Sequence, residues 1–279
     1  MKGTFEKSDA RILRDIYNRR ANEIDPNGDA VIALSGGTDS ISLLFAEIEN
    51  GRKPDCFTFY MDGIISEDLK ASRHACNYFG LKLHEVAIPT DIDIMYADIK
   101  RVLPYCEYVK KTIIQCMIPW LYIYPQMGEK HLILNGLGGD DYFGTQRKVA
   151  VAYHNGGDEA CKPYRKWYGH DLNFSEANII RFARQYGKEN IDFYGSQEIE
   201  DFLLQYTYKA INSPFMKYAS VAAYRDFYDR EPFYRDLTEH SYQINSKLKG
   251  CHDRLLLSKY NTKRHKSIIG LYNEIARSV

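Results

Sequence analysis

No two of the six cysteines form a CxxC pair; Cys56, Cys76, Cys106, Cys116, Cys161 and Cys251 are scattered along 279 residues. That spacing argues against a zinc site and against the disulfide framework of a small secreted domain. The N-terminal stretch MKGTFEKSDARILRDI is charged and lacks the apolar region of a signal peptide. Long apolar runs are missing too: none is long enough to span a bilayer. Net charge is absent: Lys+Arg and Asp+Glu both number 37. No overall field therefore draws the chain to nucleic acid or to an anionic membrane, although local patches escape such a count. Two phosphate-binding signatures are lacking, the GxxxxGK[ST] loop and the GxGxxG dinucleotide fingerprint. There are no repeats, low-complexity tracts or clear linkers. The expectation is a cytoplasmic protein in a reducing compartment, forming one large domain or two small ones.

What is present is 44% hydrophobic, ample for a core, and includes 23 tyrosines for which composition offers no single cause. The stretch that organises the rest is AVIALSGGTDS, residues 30–40. Val31 to Leu34 are apolar, Ser35 to Ser40 are small, glycine or polar, and Ile41, Leu43, Leu44, Phe45 and Ile48 recur at helical spacing. The order predicts strand, tight turn, helix. Gly36 and Gly37 can adopt backbone angles closed to other residues and keep no side chain in a ligand's way. The unpaired N–H groups and dipole at the start of the following helix favour an anion. Ser35, Thr38 and Ser40 add hydroxyls. Asp39 sits oddly beside phosphates unless a metal ion intervenes, and magnesium characteristically binds a carboxylate or two plus substrate phosphates. The plainer alternative is a Gly-rich turn with a helix cap at Thr38 or Asp39.

The pattern then alternates. A lead-in helix within residues 1–28, capped at Ser8, carries Ile12, Leu13, Ile16 and Tyr17 on one stripe. Strands are expected at 29–34, 56–61, 83–88 and 131–134, with helices at 39–49, 66–79, 91–102 and 112–127. Such alternation implies a parallel, doubly wound α/β sheet covered on both faces, with ligands bound beyond the carboxyl ends of its strands. After residue 145 the strand signal fades. Residues 154–173 read as a long loop or lid, followed by helices at 175–186, 196–209, 214–227, 233–245 and 264–277. The division is an N-terminal helix (1–28), an ATP-binding α/β part (29–150) and a helical C-terminal part (151–279) packed on it.

A second Gly-rich stretch, NGLGGDDYFG at 135–144, follows directly on the last expected strand. Adjacent carboxylates on such a loop repel unless a cation joins them, so it reads either as a metal-facing loop or as a solvated acidic turn.

The first loop resembles the SGGxDS signature of the PP-loop ATP pyrophosphatases, which split ATP into AMP and pyrophosphate. The second resembles the SGxGxDExFGGY loop of the asparagine synthetase C-terminal domain. Asp140 falls on that motif's metal-binding Asp and Asp141 on its Glu, and Phe143 and Gly144 match. Leu137 stands where the motif has Glu, and Asn135 where it has Ser. Residues 57–86 are similar to the family's second strand and helix, with Glu67-Asp68 before the helix and LxxHEV after it. REPF at 230–233 looks like its R-x-P-F segment. The resemblance covers most of residues 29–260.

It implies an adenine nucleotide alpha hydrolase-like fold, with ATP and Mg²⁺ as cofactors. The pyrophosphate grip falls on Ser35, Gly36, Gly37, Thr38, Asp39 and Ser40, joined by Gly136 and Gly138. By analogy Leu34 and Met61 lie near the base. The metal ligands are Asp39 and Asp140. A family catalytic lysine falls on Lys247 or Lys249, in INSKLKGCHDRLLL, with Arg230 supporting the phosphates. The implied reaction adenylates a carboxylate or carbonyl and joins it to ammonia or an amine. Glutamine-dependent relatives begin with a glutaminase domain for which 35 residues leave no room; free ammonia, an amine substrate or a separate glutaminase or carrier would supply the nitrogen. Two other readings compete: a PP-loop enzyme that modifies a nucleotide or nucleic-acid base, disfavoured by zero net charge and no added RNA-binding domain, and an ATP-binding protein without catalysis.

Remaining residues divide more plainly. Asp62 is a structural acid or a ribose ligand. His84, His131, Trp120 and Trp167 read as packing residues, Cys56 and Cys76 as buried thiols. The basic run 259–266 reads as solvated, with contact to a phosphate-bearing substrate as the alternative.

Overall fold

In this computed structural model residues 1–170, 174–229 and 246–278 are described, except for the side chains of 167–170 and 174–177. In chain order they form α1 (Lys7–Ile24), β1 (Val31–Ala33), α2 (Thr38–Glu49), β2 (Cys56–Met61), α3 (Glu67–Phe79), β3 (Leu83–Ile88), α4 (Ile92–Val102), α5 (Lys111–Met117), α6 (Trp120–Gln126) and β4 (Leu132–Asn135). There follow α7 (Gly139–Phe143), α8 (Arg147–His170), α9 (Phe174–Arg184), β5 (Glu189–Asp192), α10 (Gln197–Leu203), α11 (Tyr208–Asn212), α12 (Tyr218–Ala223), α13 (Arg225–Tyr228), α14 (Leu248–Asp253) and α15 (Ile268–Ala276).

The five strands make one all-parallel sheet in the order β3-β2-β1-β4-β5. Each crossover carries a helix, as parallel neighbours require. Side chains alternate between the faces, because the strand period is two. Val31, Phe57, Phe59, Val86 and Ile133 enter one buried cluster, while Ile32, Cys56 and Leu134 enter another. The latter takes Leu13 and Tyr17 of α1, Phe45 of α2, and residues from Phe193 to Tyr228. The former takes α4, α5, α6, α9, α14 and α15. The sequence-predicted doubly wound α/β architecture is therefore present.

Local chemistry sets the boundaries. Ser66 accepts a hydrogen bond from the Leu69 N–H at 3.1 Å and starts α3, and Gly80, left-handed at φ 63, ends it. Asp91 starts α4 by accepting from the N–H groups of Asp93 and Ile94. At α1 the cap is Glu6, not Ser8: the Glu6 N–H donates to Asp9 Oδ2 at 2.9 Å, and Ser8 lies inside the helix. The expected 112–127 helix is two helices, parted at Ile118-Pro119, where Pro119 has no N–H to give the Gln115 carbonyl.

Two expectations are corrected. Residues 154–170 are helical, within α8, rather than a loop; Gly156 and Gly157 depart from helical angles there and kink it, and the glycines that suggested a loop produce only the kink. Residues 171–173 lie outside the described residues. The segment after residue 145 also contains a strand, β5. Expected helices at 196–209 and 214–227 are each divided or shortened, and 233–245 lies outside the described residues. Among the described residues no helix is long and apolar enough to cross a membrane.

Candidate active site

The strand order reverses beside β1: β2 and β3 are laid to one side of it, β4 and β5 to the other. In open parallel sheets the two loops leaving such a switch point diverge and leave a crevice between them. Here those loops are residues 35–37, between β1 and α2, and 136–138, between β4 and α7.

The first loop is held by its own hydroxyls. The Ser35 N–H donates to Ser40 Oγ at 3.2 Å, and Ser40 Oγ donates to the Gly37 carbonyl at 3.2 Å. Gly36 has φ +73, and a Cβ there would lie 2.3 Å from Ala71 Cβ on α3, so both backbone and packing require glycine. Gly37 differs: its φ is −75, and a Cβ would meet only Ser35 Oγ, at 3.4 Å. The fold itself leaves room for a side chain at Gly37; a ligand against the backbone would not. From the other side two tyrosines reach the start of α2. Tyr228 Oη donates to the Thr38 carbonyl at 3.0 Å and meets Ser42 Oγ at 3.0 Å, and Tyr194 Oη donates to the Asp39 carbonyl at 3.5 Å.

The second loop closes on the first. A Cβ at Gly139 would lie 2.4 Å from Asp39 Cγ, and one at Gly136 3.0 Å from the Asp39 backbone. At Gly138 the obstruction would be Asp192 Oδ2, 2.0 Å away, and the Gly138 N–H donates to Asp192 Oδ1 at 3.1 Å. Three glycines are thus needed for close approach. Asn135 donates to Asn190 Oδ1 at 2.5 Å and accepts from the Leu137 N–H at 2.9 Å, so it braces the loop onto β5. Leu137 is half-buried against the core.

This packing brings Asp39 and Asp140 to a common point, which Lys217 occupies. Its ammonium lies 2.5 Å from Asp39 Oδ2 and 2.5 Å from Asp140 Oδ1. The Lys217 and Asp39 side chains are 13% and 17% exposed, that of Asp140 52%. Thr145 Oγ1 donates to Asp140 Oδ1 at 2.7 Å, and Gln146 donates to Asp141. Burial, relieved in part by Lys217 and reinforced by Asp140, pushes the Asp39 carboxyl up to about 6. Burial also opposes the Lys217 charge, but Asp140 and Asp39 outweigh it and hold the ammonium above its ordinary range.

Other expected site residues stand as follows. Leu34 is buried; its N–H donates to the Phe57 carbonyl and its carbonyl accepts from Ser72 Oγ, each at 2.8 Å. Met61 is buried and its carbonyl accepts from the Ile64 N–H. Lys247 and Lys249 are exposed, flanking Leu248 of the core, and the ion pairs of Asp39 and Asp140 with an ammonium run to Lys217 instead. Arg230 lies outside the described residues. Asp62 is exposed. His84 stacks on Phe57 and meets Asp55 Oδ2 at 3.0 Å, while Trp120 is buried beside Tyr124, as packing residues should be. The basic run 259–266 is tied to acids: Lys259 to Asp93, and Lys263 and His265 to Glu274.

Sequence reasoning does not single out Lys217 or Asp192. The trace of Lys217 is a lone cation among apolar residues, FMKYA at 215–219. Asp192 ends a strand too short to show periodicity.

No metal-binding group of three or more His, Cys, Asp or Glu is present among the described residues. Two facing carboxylates nevertheless suit magnesium brought by a polyphosphate, which itself supplies further oxygens. Asp39 Oδ1 is buried without a hydrogen-bond partner among the described residues, and Gly37 leaves the backbone open. The chain's own groups fit Mg²⁺ and a polyphosphate.

Such a crevice, with a helix N-terminus and paired acids at a strand switch point, marks a nucleotide-binding α/β protein. The asparagine synthase family model matches residues 27–242, most of the chain, and the chain belongs to that family of ATP-pyrophosphatase-type ligases. No curated protein is similar enough to the chain to count as a match.

Proposed function

We propose that the protein activates a carboxylate, or a comparable carbonyl, as its adenylate with release of pyrophosphate, and that ammonia or an amine then displaces AMP. The observation that carries this reading is the meeting of Asp39 and Asp140 at the switch-point crevice, beside a glycine turn and the first turn of α2. Backbone N–H groups of residues 35–40, with Gly136 and Gly138 allowing close approach, would receive the pyrophosphate oxygens. Asp39 and Asp140 would hold Mg²⁺, which supplies neutralisation of the leaving pyrophosphate. Little covalent work then falls to the protein, whose task is to position the acid in line with the α-phosphate and to exclude water. Among the described residues Lys217 stands between the two loops and would meet charge that develops there; the resemblance gives the catalytic role to Lys247 or Lys249. The nitrogen comes from ammonia, an amine substrate or a separate glutaminase or carrier. Lys259, Lys263 and His265 of the run 259–266 are paired to acids, which weighs against that run as a nucleic-acid contact.

The test is isotope exchange between pyrophosphate and ATP in the presence of Mg²⁺ and pools of small acids, without amine. Exchange that depends on one acid establishes adenylation and identifies the acid. Exchange absent from every pool, while ATP is turned over to ADP, would refute the reading.

A further inference from the structure

A pair of metal-facing carboxylates does not by itself call for a lysine between them. Lys217 is built into that position. Its backbone adopts φ 60, ψ 27, the left-handed region that non-glycine residues seldom enter. Its N–H donates to Asn212 Oδ1 at 2.9 Å, and Asn212 Nδ2 donates in turn to the Phe143 carbonyl at 2.9 Å. Phe143 ends α7, the helix that carries Asp140. One asparagine therefore fixes the lysine backbone relative to one of its two carboxylates.

Charge decides what this arrangement admits. Both carboxylates face the Lys217 ammonium, and Asp39 Oδ1 has no hydrogen-bond partner among the described residues. A divalent ion that seeks both carboxylates must displace the ammonium. Because that side chain is 13% exposed, displacement without a new anionic partner strands a buried cation, which is costly. A metal arriving on a polyphosphate brings that partner with it.

We propose that Lys217 is the resident counter-ion of the site: it holds Asp39 and Asp140 together before nucleotide binds, keeps free divalent metal out, and moves to phosphate oxygens when metal enters on a polyphosphate. The proposal rests on the reading of Asp39 and Asp140 as metal-facing residues. Order of binding follows from it, since metal and nucleotide enter together.

The experiment titrates Mn²⁺ into the nucleotide-free full chain and reads free Mn²⁺ by electron paramagnetic resonance. Wild type should bind weakly, and Lys217→Gln about tenfold tighter or more, the scale of a close buried charge coupling. Adding Asp39→Asn to Lys217→Gln should abolish the gain. Equal affinity in wild type and Lys217→Gln, or a gain that survives Asp39→Asn, would overturn the proposal. Should Lys217→Gln fail to fold, wild type still decides. A protected lysine ammonium signal in ¹H–¹⁵N spectra, assigned by its loss in Lys217→Arg, should stay in place with Mg²⁺ alone and shift with Mg²⁺ plus α,β-methylene-ATP. A signal that moves with Mg²⁺ alone, or stays with both, contradicts the counter-ion role. Neither readout uses AMP formation: a chain that makes no AMP yet shows the Mn²⁺ gain refutes the proposed reaction and keeps the counter-ion.

Discussion

Asp39 is held among opposing influences. It opens α2, where the helix dipole favours a negative charge, yet it is largely removed from water and lies near a second carboxylate, and its carboxyl is pushed up to about 6. The Lys217 ammonium offsets part of these costs. Asp39→Asn removes the charge while preserving the shape, so the far-UV circular dichroism should match wild type. AMP formation should fall by about 100-fold or more, the loss typical of removing one preorganised electrostatic contact. Turnover within a few-fold of wild type would remove Asp39 from the metal. Asp39 is legible in the sequence as a candidate because an acid set among glycines and hydroxyls that suit phosphate calls for a cation beside it. Lys217 is not legible: its meaning lies in contacts with residues 39 and 140, far away in sequence, and a lone lysine in an apolar stretch carries no spacing signal.

At the scale of elements, the N-terminus of α2 is placed from behind. Tyr228 of α13 and Tyr194 after β5 reach carbonyls of its first turn, so residues late in the chain hold a helix start near its beginning. Part of the tyrosine abundance has a physical use here: an apolar ring fills the core and its hydroxyl reaches a backbone carbonyl. Tyr228→Phe keeps the ring and removes the hydroxyl, leaving Thr38 O and Ser42 Oγ without that partner. The expected cost is about 0.5–1.5 kcal/mol of stability, seen as a lower urea midpoint, together with weaker ATP binding by isothermal titration calorimetry. Unchanged values for both would show that the brace is idle.

Element boundaries are legible where local chemistry dictates them. Residues 56–61 and 83–88 are continuous apolar or alternating runs closed by turn residues, and β2 and β3 occupy those spans. β5 escapes a sequence reading because ENID contains one apolar residue; what makes it a strand is pairing with β4, Ile133 opposite Asn190 and Leu134 opposite Ile191. Glycine misleads in α8, where Gly156 and Gly157 kink a helix rather than end it.

At the scale of the molecule, residues from both halves share the two large buried clusters. Leu13 and Phe45 pack with Tyr224 and Phe227, and Phe57 and Met95 share a cluster with Leu271 and Ile275. Beside the second cluster His252 is buried, with Nδ1 2.6 Å from Oη of its member Tyr272. Burial, together with Lys111 and against the pull of Asp253, lowers its pKa from 6.5 to about 4. The unfolded chain therefore binds a proton between pH 6.5 and 4 that the folded chain refuses, and stability from this group is present above pH 6.5 and lost as pH falls towards 4. His252→Gln should lose less stability than wild type between about pH 7 and pH 5 in urea unfolding. Parallel losses would show that His252 does not titrate as its burial dictates.

The proposed reaction cleaves ATP between its α- and β-phosphates. The most direct measurement resolves nucleotide products by chromatography after incubation with Mg·ATP and pools of acids and amines, with nucleic acid in a separate arm. AMP and pyrophosphate in equal amounts, dependent on one acid and one amine, is the result expected. ADP and phosphate as the products, or AMP that depends on nucleic acid alone, would contradict the account.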